Sequence, residues 1–564
     1  MSAVIFSIGS VYATAKRGNA TAYMTLFSPR AAPVKALLTW IGRKRRAVDS
    51  KQSGHGLTTA APMTKRNHTV IRGGRLIDTM KHRANRADIL IEGDTIKEVG
   101  RLGLPAPAGA VAIDARDKFI HPGLINAHTH GHGNLAKGMG DRLTLELLLT
   151  AGPWMTGNRS TEDKYLTTVI GAAEMVLKGC TACYDLTVEF PTPSVEGLEA
   201  AGGAYETVGM RAVLAPMIAD FIFFDAIPGL LELMPRSLQK EIERLRLAPY
   251  RATLKNTRRA LQSWKIDRDR VRLAVAPTIP HHCSDAFLIG CRDLAREFGV
   301  PLHSHVAESK VQVIAGLRKY GTTLTVHLDA LGLVGPDFTV AHGVWLDHDD
   351  MKRLGDKGAS VAHNPGSNMR LGSGLADMRG MLDRKVNVGI GTDGSNCSDN
   401  QNMFEAMRLA SLVSKVQGPD IERWITTEEA LTAATTGSAQ ALGFSDKLGR
   451  IAPGYKADIV LLDAHHVNWI PANDPTNAMV HIEDGSAVHS VMIGGRMVVE
   501  NHRLLTLDLA KLARDAESAR ARLEKLNRAN RKLSEKLEPI VTRYCAGLAK
   551  TPLHIHRYGA SRHP

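Results

Sequence analysis

The stretch that decides the fold is FIHPGLINAHTHGHGNLAKG, residues 119–138, in which a short apolar run leads into a crowd of histidines. Successive side chains of a strand point to opposite faces, so His128 and His130 share one face at the end of that run. Two imidazoles in this arrangement can bind one cation. His121, at the start of the run, is predicted to be structural. His132 lies beyond the run in a glycine-rich loop and is predicted to be solvated, with a substrate contact as the alternative.

Seven further β-runs follow at intervals, with helical stretches such as STEDKYLTTVIGAAEMVLKG between them; that stretch begins with a serine cap and acidic residues. The eight runs span residues 123–130, 180–186, 211–218, 272–279, 301–308, 338–346, 359–366 and 386–393. Strands that alternate with helices in this number predict an α/β fold, a (β/α)8 TIM-like barrel.

The polar residues of these runs cluster where the runs end. His305 and Glu308 close the fifth run, His342 lies in the sixth, and Asp393 closes the eighth. The carboxyl ends of barrel strands form the active-site mouth, so these side chains are expected to meet there. His303 shares a strand face with His305 but lies deeper, so it is predicted to support the site from a second layer.

Three imidazoles and a carboxylate suit a divalent metal, with His128, His130, His305 and Asp393 as the predicted ligands. The fourth run, RLAVAPTIP, has no lysine or glutamate that could bridge two ions, so one metal is expected. Such a site can hold a metal-bound hydroxide. Glu308 is predicted to transfer protons and His342 to donate a hydrogen bond to the developing charge. Asp393 is also predicted to orient or deprotonate the water.

Two segments, one before and one after the alternating strands and helices, have a different pattern, namely short β-runs separated by turns. VIRGGRLID and VMIGGRMVVE, residues 70–78 and 491–500, look alike and predict one small β-sandwich domain built from both ends. The charged, leucine-spaced segment near the carboxyl end predicts a helical tail packed on the barrel. The predicted division is a leader at 1–62, the β domain at 63–120 and 446–505, the barrel at 121–445 and the tail at 506–564.

The net charge of +14 is concentrated at the start of the chain. Residues 1–62 hold nine lysines and arginines and one acid. Three interpretations stand: sequence upstream of a start at Met63, a disordered basic arm, or a targeting segment. The remaining residues are only mildly basic, which argues against nucleic-acid binding. No apolar run is long enough for a membrane span. Six cysteines in so long a chain do not predict a disulfide framework.

The ordered motifs resemble the amidohydrolase superfamily, in the branch of cytosine deaminase, adenosylhomocysteine deaminase and the triazine hydrolases. The resemblance rests on PGLINAHTH (122–130), HSHVAES (303–309), AHGVWL (341–346), HNPGSNMRLGSG (363–374), GTDGSN (391–396) and LGRIAPGYKADIVLLD (448–463). It implies the same four metal ligands, with Zn²⁺ expected and Fe²⁺ as the alternative. It also implies proton transfer by Glu308, a substrate or water contact by His342, a cytoplasmic enzyme and a homo-oligomer.

The resemblance predicts a hydrolase for C–N bonds other than peptide bonds, most simply a deaminase of a small N-heterocyclic compound. The alternatives are dechlorination or cyclic-amide hydrolysis of an N-heterocycle and, outside enzymes, a metal-free scaffold or binding module on the same barrel. Adenosylhomocysteine-type deaminases usually read APHAPYTCS after the fourth strand, where this chain reads APTIPHHCS. That departure argues against adenosine-type substrates and makes Thr278, His281 and His282 candidates for substrate binding.

Overall fold

The structure is a computed structural model that describes residues 68–559, so the predicted leader lies outside the described residues. The strands of this range are β1 (His68–Asp78), β2 (Arg83–Glu92), β3 (Thr95–Gly100), β4 (Val111–Asp114), β5 (Lys118–Pro122), β6 (Leu124–Thr129), β7 (Cys180–Thr187), β8 (Arg211–Ile218), β9 (Val271–Leu273), β10 (Ala276–Pro277), β11 (Leu302–Val306), β12 (Phe338–His342), β13 (Ser360–His363), β14 (Asn387–Ile390), β15 (Ile459–Asp463), β16 (Val488–Ile493), β17 (Arg496–Glu500) and β18 (Arg503–Leu504).

The α-helices of the same range connect these strands or form the carboxyl-terminal tail. They are α1 (Leu145–Met155), α2 (Thr161–Leu177), α3 (Val195–Val208), α4 (Phe223–Ala226), α5 (Arg236–Ile242), α6 (Tyr250–Ser263), α7 (Asp285–Phe298), α8 (Lys310–Tyr320), α9 (Leu324–Ala330), α10 (His348–Asp356), α11 (Pro365–Arg370), α12 (Met378–Asp383), α13 (Met403–Lys415), α14 (Thr427–Thr432), α15 (Ser438–Ala441), α16 (Pro475–His481), α17 (Leu509–Leu526) and α18 (Arg528–Ala549). Ser160 caps α2 through a reciprocal capping box with Asp163, as the acidic start of that stretch predicted.

Strands from both ends of the described chain share one sheet. Its order is β18-β17-β16-β15-β5-β1-β2-β3, with β4 added beside β1. The two ends meet where β5 and β15 pair antiparallel. Isoleucines such as Ile71, Ile89 and Ile459 pack together as a buried cluster on this sheet. The second layer of the predicted β-sandwich remains a prediction.

The two similar Gly-Gly segments have different structures. Gly494 and Gly495, with φ of 55° and 70°, form the turn between β16 and β17, because a two-residue hairpin turn of this kind needs positive φ at both positions. Gly73 and Gly74 instead lie inside β1, at a register shift opposite β2. A Cβ on Gly74 would come within 2.2 Å of the side chain of Ile120, so the close approach of β5 requires glycine there.

The strands β6 to β14 form parallel sheets, and they cover all eight predicted runs. One sheet contains β6, β7, β8, β9 and β10, and the other contains β11 to β14. The fourth run is divided into β9 and β10. Hydrogen bonds from the Val275 amide to the Pro301 carbonyl (3.1 Å) and from the His303 amide to the Val275 carbonyl (3.1 Å) connect the two sheets. The Asp393 amide, just beyond β14, donates to the His128 carbonyl in β6 (2.9 Å).

Ion pairs and apolar contacts attach the other parts to the parallel strands and to the helices between them. Arg211, at the start of β8, makes a bidentate contact with Asp458 beside β15, at 2.8 and 3.1 Å. In the tail, α18 buries Leu537 and Val541 in a cluster with Phe224. Arg522 of α17 pairs with the buried Asp163 of α2. Within residues 68–559, none of the helices has the length and apolar character that crossing a membrane would require.

A histidine with two carboxylate partners ties the β1–β2 turn to two helices. His82 contacts Asp474 through Nδ1 at 2.9 Å and Glu428 through Nε2. The hydrogen bonds that the His82 ring donates, first to Glu428 and then to Asp474, raise the pKa of His82. The stabilisation is therefore complete below the unfolded-state pKa near 6.5 and is lost as the pH rises through the higher folded-state pKa.

We expect His82→Ala to lower the thermal midpoint more at pH 6 than at pH 9. The groups are partly exposed, so the difference corresponds to about 1 kcal/mol or less. Thermal melts of both proteins across this pH range measure it. His465→Ala, at an exposed histidine, serves as the control and should show no such trend. If His82→Ala lowered the thermal midpoint equally at both pH values, a charged His82 paired with Glu428 and Asp474 would be contradicted.

Candidate metal centre

Six predicted site residues lie at the carboxyl ends of the parallel strands. His128 is in β6 and His130 follows that strand directly, while His305 is in β11 and His342 ends β12. Glu308 and Asp393 are in the loops that follow β11 and β14. All six side chains are buried. Their common position results from the parallel order, because the carboxyl ends of parallel strands face the same edge.

The ligating atoms of these residues converge. The Nε2 atoms of His130 and His128 lie 3.2 and 3.6 Å from Oδ1 of Asp393. Nε2 of His305 lies 3.3 Å from Nε2 of His130. Three groups each have ligand atoms within 4.8 Å of one another: His128 with His305 and His342, His128 with His130 and Asp393, and Glu308 with His342 and Asp393. The four predicted ligands thus surround one small region.

The unpartnered atoms of this cluster fit a divalent cation. Both ring nitrogens of His128, Nε2 of His342 and Oε2 of Glu308 are buried without a hydrogen-bond partner. A buried polar atom without a partner costs free energy, which a bound cation or the water beside it would offset. Imidazole and carboxylate donors are those that zinc and related divalent ions prefer. The residues present therefore suit a metal.

The protonation states of two of the three ligand imidazoles, those of His128 and His305, suit the same purpose. Burial lowers the pKa of His128 to about 3. Burial, and then the neighbouring imidazoles, hold the pKa of His305 well below its usual value. Both rings are therefore neutral, which ligation of a metal requires. Burial opposes ionisation of Asp393, but contacts with His128 and His130 outweigh it and hold the pKa of Asp393 well below its usual value.

Neighbouring groups fix the orientation of two ligand rings through their second nitrogens. Nδ1 of His130 contacts the Leu186 carbonyl at 2.6 Å, and Nδ1 of His305 contacts the Thr278 carbonyl at 2.7 Å. A carbonyl accepts from Nδ1–H, so Nε2 of each ring keeps its lone pair for the cluster. Thr278 therefore contributes its backbone to the site. Its predicted role in binding substrate remains a prediction.

Asp393 is held from several sides. The Ser367 hydroxyl donates to Oδ2 at 2.6 Å and the Gly394 amide to Oδ1 at 2.7 Å. Its carbonyl accepts hydrogen bonds from Thr129, Thr392 and Gln401. These contacts stabilise a backbone with φ of 64°, which is unusual for a residue other than glycine. Sequence reasoning missed these partners, although Ser367 lies in the quoted HNPGSNMRLGSG motif.

His342 and Glu308 lie next to each other beside the proposed ligands. Nε2 of His342 is 3.7 Å from Oε2 of Glu308 and 3.7 Å from Oδ2 of Asp393. Nδ1 of His342 contacts Oδ1 of Asn368 at 2.9 Å, so Nδ1 carries the proton. Burial, and then the charge of Asp393 and Glu146, raise the pKa of Glu308 well above its usual value. A carboxyl group can accept a proton in its ionised form and return it from its protonated form.

The remaining histidines of the sequence analysis lie outside the four-ligand set. The prediction that His132 is solvated is wrong: the ring is buried in the turn Gly131–Ala136, whose His132 carbonyl accepts from Arg159. His303 is buried behind His128, with ring centroids 5.0 Å apart. His281 and His282 are buried in the turn Pro280–His282, with their rings packed edge to face. Their substrate contact remains a prediction.

Comparison with known proteins identifies the family. The model of the amidohydrolase family matches residues 119–498. The 5-methylthioadenosine/S-adenosylhomocysteine deaminase of Caldanaerobacter subterraneus is 32% identical, over 76% of this chain and 92% of that protein. The enzyme of the same name from Pyrococcus furiosus is 33% identical, over 78% of this chain and 98% of that protein.

Solved structures show the same similarity. An adenosine deaminase from Xanthomonas campestris with bound zinc has a TM-score of 0.70 at 26% identity and covers 81% of this chain and 98% of its own. An atrazine chlorohydrolase from Arthrobacter aurescens complexed with zinc has a TM-score of 0.71 at 26% identity, over 80% of this chain and 100% of its own. These relatives imply a TIM-like barrel and a hydrolase with a divalent metal. The chain belongs to the amidohydrolase family.

Proposed function

We propose that this protein is a zinc-dependent deaminase of a small N-heterocyclic compound, with one metal held by His128, His130, His305 and Asp393. The observation that carries the proposal is the buried Glu308 carboxyl, whose unpartnered Oε2 faces His342 beside the ligand cluster. The relatives named as deaminases support the reaction type, and the two zinc-containing neighbours support the metal. We further propose that the parallel strands β6 to β14 form a closed barrel, as the contact between Asp393 and His128 supports.

A bound divalent cation lowers the pKa of a water ligand towards ~7. The side chains of this chain would carry out the remaining chemistry. Glu308 accepts the proton of the attacking water and delivers it to the departing nitrogen. The ring carbon gains a C–O bond and loses its C–N bond, so one water is consumed and one ammonia released. His342, with its Nδ1–H held by Asn368, presents an unprotonated Nε2 to the reacting group and can accept a hydrogen bond there. Donation from Nε2, as predicted from the sequence, would require a protonated ring.

Two observations bear on the class of substrate, and they favour different compounds. The relatives are named for methylthioadenosine and adenosylhomocysteine, which are purine nucleosides. The segment APTIPHHCS, however, has Thr278 where adenosylhomocysteine-type deaminases usually have a histidine. Thr278 directs its hydroxyl towards Sδ of Met217 at 3.6 Å. We therefore propose that the substrate is an N-heterocycle with an exocyclic amine. Which ring system it contains is to be determined by screening compounds. By family resemblance we also propose a homo-oligomer.

Screening the zinc-loaded protein against purines, adenosine-type nucleosides, pyrimidines, triazines and pterins tests the reaction. We expect ammonia release from at least one compound and its loss after chelation of the metal. Chloride release and ring opening are followed in parallel on chlorotriazines and cyclic amides. The atrazine chlorohydrolase neighbour motivates this second measurement. Chloride release or ring opening without ammonia release from any compound would contradict deamination.

A further inference from the structure

The last described residues form a segment that crosses the loops of the candidate site. Residues 553–558, here called the C-terminal strap, follow α18 and alternate in burial. Leu553 and Ile555 pack against the main core, and the side chain of Arg557 is only 13% exposed. His554, His556 and Tyr558 are more exposed. Period-two alternation of this kind shows that one face of the strap is packed on the molecule.

Arg557 connects two loops at the carboxyl edge of the parallel strands. Its Nη2 donates to the Leu346 carbonyl at 2.8 Å, in the loop that follows β12 and His342. Its Nη1 lies 3.4 Å from Oδ2 of Asp377, which caps α12. Its own carbonyl accepts from the Leu375 amide at 2.7 Å. A rigid planar guanidinium suits such a double contact better than a lysine amine.

The loops that the strap contacts also form hydrogen bonds with the neighbours of Glu308 and His342. The Trp345 amide donates to the carbonyl of Ala307, the residue before Glu308, at 2.8 Å. The Trp345 indole donates to Ser373 (2.8 Å), and the Tyr558 ring packs against it at a centroid distance of 5.0 Å. The Ser373 amide donates to the carbonyl of Asn368, the partner of His342. The contacts thus run from the strap to both sides of the His342–Glu308 pair.

Two residues in this network have strained backbones. Ala307 and His342 have φ of 56° and 72°, in a region that residues other than glycine rarely occupy. Such conformations persist only where surrounding contacts hold them. The strap contacts the loop that follows His342, and Trp345 of that loop donates to the Ala307 carbonyl. Removal of the strap would therefore loosen the backbone that places Glu308 and His342.

We infer that Arg557 is a positioning residue, which acts through the Leu346 carbonyl and Asp377 to hold Glu308 and His342 in their reactive geometry. The inference rests on the proposed function for its catalytic consequence. Its structural part is independent of any substrate. Arg557 is far along the chain from the motifs of the family, and it touches none of the proposed metal ligands in the described contacts.

Hydrogen–deuterium exchange of full-length, zinc-loaded Arg557→Ala tests the structural part. We expect the amides of Gly343, Trp345, Ser373 and Leu375 to exchange about tenfold faster than in the parent protein, or more. The reason is that the loops containing these amides lose their contacts with the Arg557 side chain and open more often. Arg522→Ala is the matched control, since it removes another tail arginine with a buried partner, on α2. Unchanged exchange of these amides, or equal acceleration in the control, would overturn the inference.

Turnover of the best compound from the ammonia screen tests the catalytic part. We expect kcat of Arg557→Ala to fall by about tenfold to a hundredfold, with metal content unchanged and KM within about twofold. Arg557→Lys should recover part of kcat. If Arg557→Ala does not fold, Arg557→Lys takes its place in both measurements. Loss of bound zinc together with kcat would show a merely structural role. Accelerated exchange with unchanged kcat would likewise overturn the positioning role of Arg557. Absence of ammonia release by the parent protein would count only against the proposed function.

Discussion

Glu308→Gln is expected to lower turnover by about 10²- to 10⁴-fold while leaving zinc bound, because an amide has nearly the shape of the carboxyl group but cannot transfer its proton. Glu308 is a proposed proton carrier and is not one of the four proposed ligands, so metal content per chain should not change. Steady-state ammonia release and elemental analysis of the same preparation measure the two quantities. The loss should appear in kcat and kcat/KM together.

Glu483→Gln provides the matched control for this change. Glu483 is equally buried, but it accepts hydrogen bonds from Trp469 and Gly485, away from the cluster. Its replacement should lower the thermal midpoint and leave kcat nearly unaltered. If Glu308→Gln retained parental turnover, proton transfer would have to be assigned to another group. If it lost zinc, Glu308 would be a ligand instead.

Asp393→Asn is expected to abolish stable zinc binding and, with it, turnover. The carboxylate lies within 3.6 Å of Nε2 of both His128 and His130 and supplies the only proposed anionic ligand. A neutral amide would leave three imidazoles without a balancing charge. Zinc per chain should fall from about one to near zero. The rise in thermal midpoint that added zinc gives the parent protein should also disappear, because ligand binding stabilises only a state with a site.

His121→Gln serves as the control for loss of a buried polar residue. His121 lies in β5, where its Nδ1 contacts the Pro122 carbonyl, and it belongs to none of the clustered groups. This variant should keep its zinc, whatever its stability. Full zinc content in Asp393→Asn would remove the aspartate from the ligand set and leave the imidazoles alone to hold the ion.

The strands and the clustered residues could be predicted from the sequence because each depends on a local pattern. Every predicted run of the parallel core contains a strand, since fully buried strands read as short apolar runs between helices. The side-chain alternation that paired His128 with His130 is a property of any strand. The position of Glu308 beside His342 followed from their places at the ends of neighbouring parallel strands.

Features that depend on distant partners could not be read in the same way. His132 looks like a loop residue, yet its side chain is buried and its carbonyl accepts a hydrogen bond from Arg159. The two Gly-Gly segments have nearly the same letters, and the close approach of Ile120 decides that one stays within a strand. Asn368 and Ser367 lie in a quoted motif, but only folding shows which atoms they meet. The role of Arg557 depends on contacts that no spacing reveals.

The pairing of β5 with β15 has a consequence for biosynthesis. Residues 118–122 leave the ribosome long before residues 459–463, and until then β5 lacks the neighbour that it has in the finished sheet. The nascent chain must therefore carry an open sheet edge, which includes the buried Phe119 and Ile120, while the whole parallel core is translated. Open edges of this kind recruit other chains. Production of this protein should thus depend on chaperone supply and translation speed, and chains interrupted before β15 should be strongly prone to aggregation.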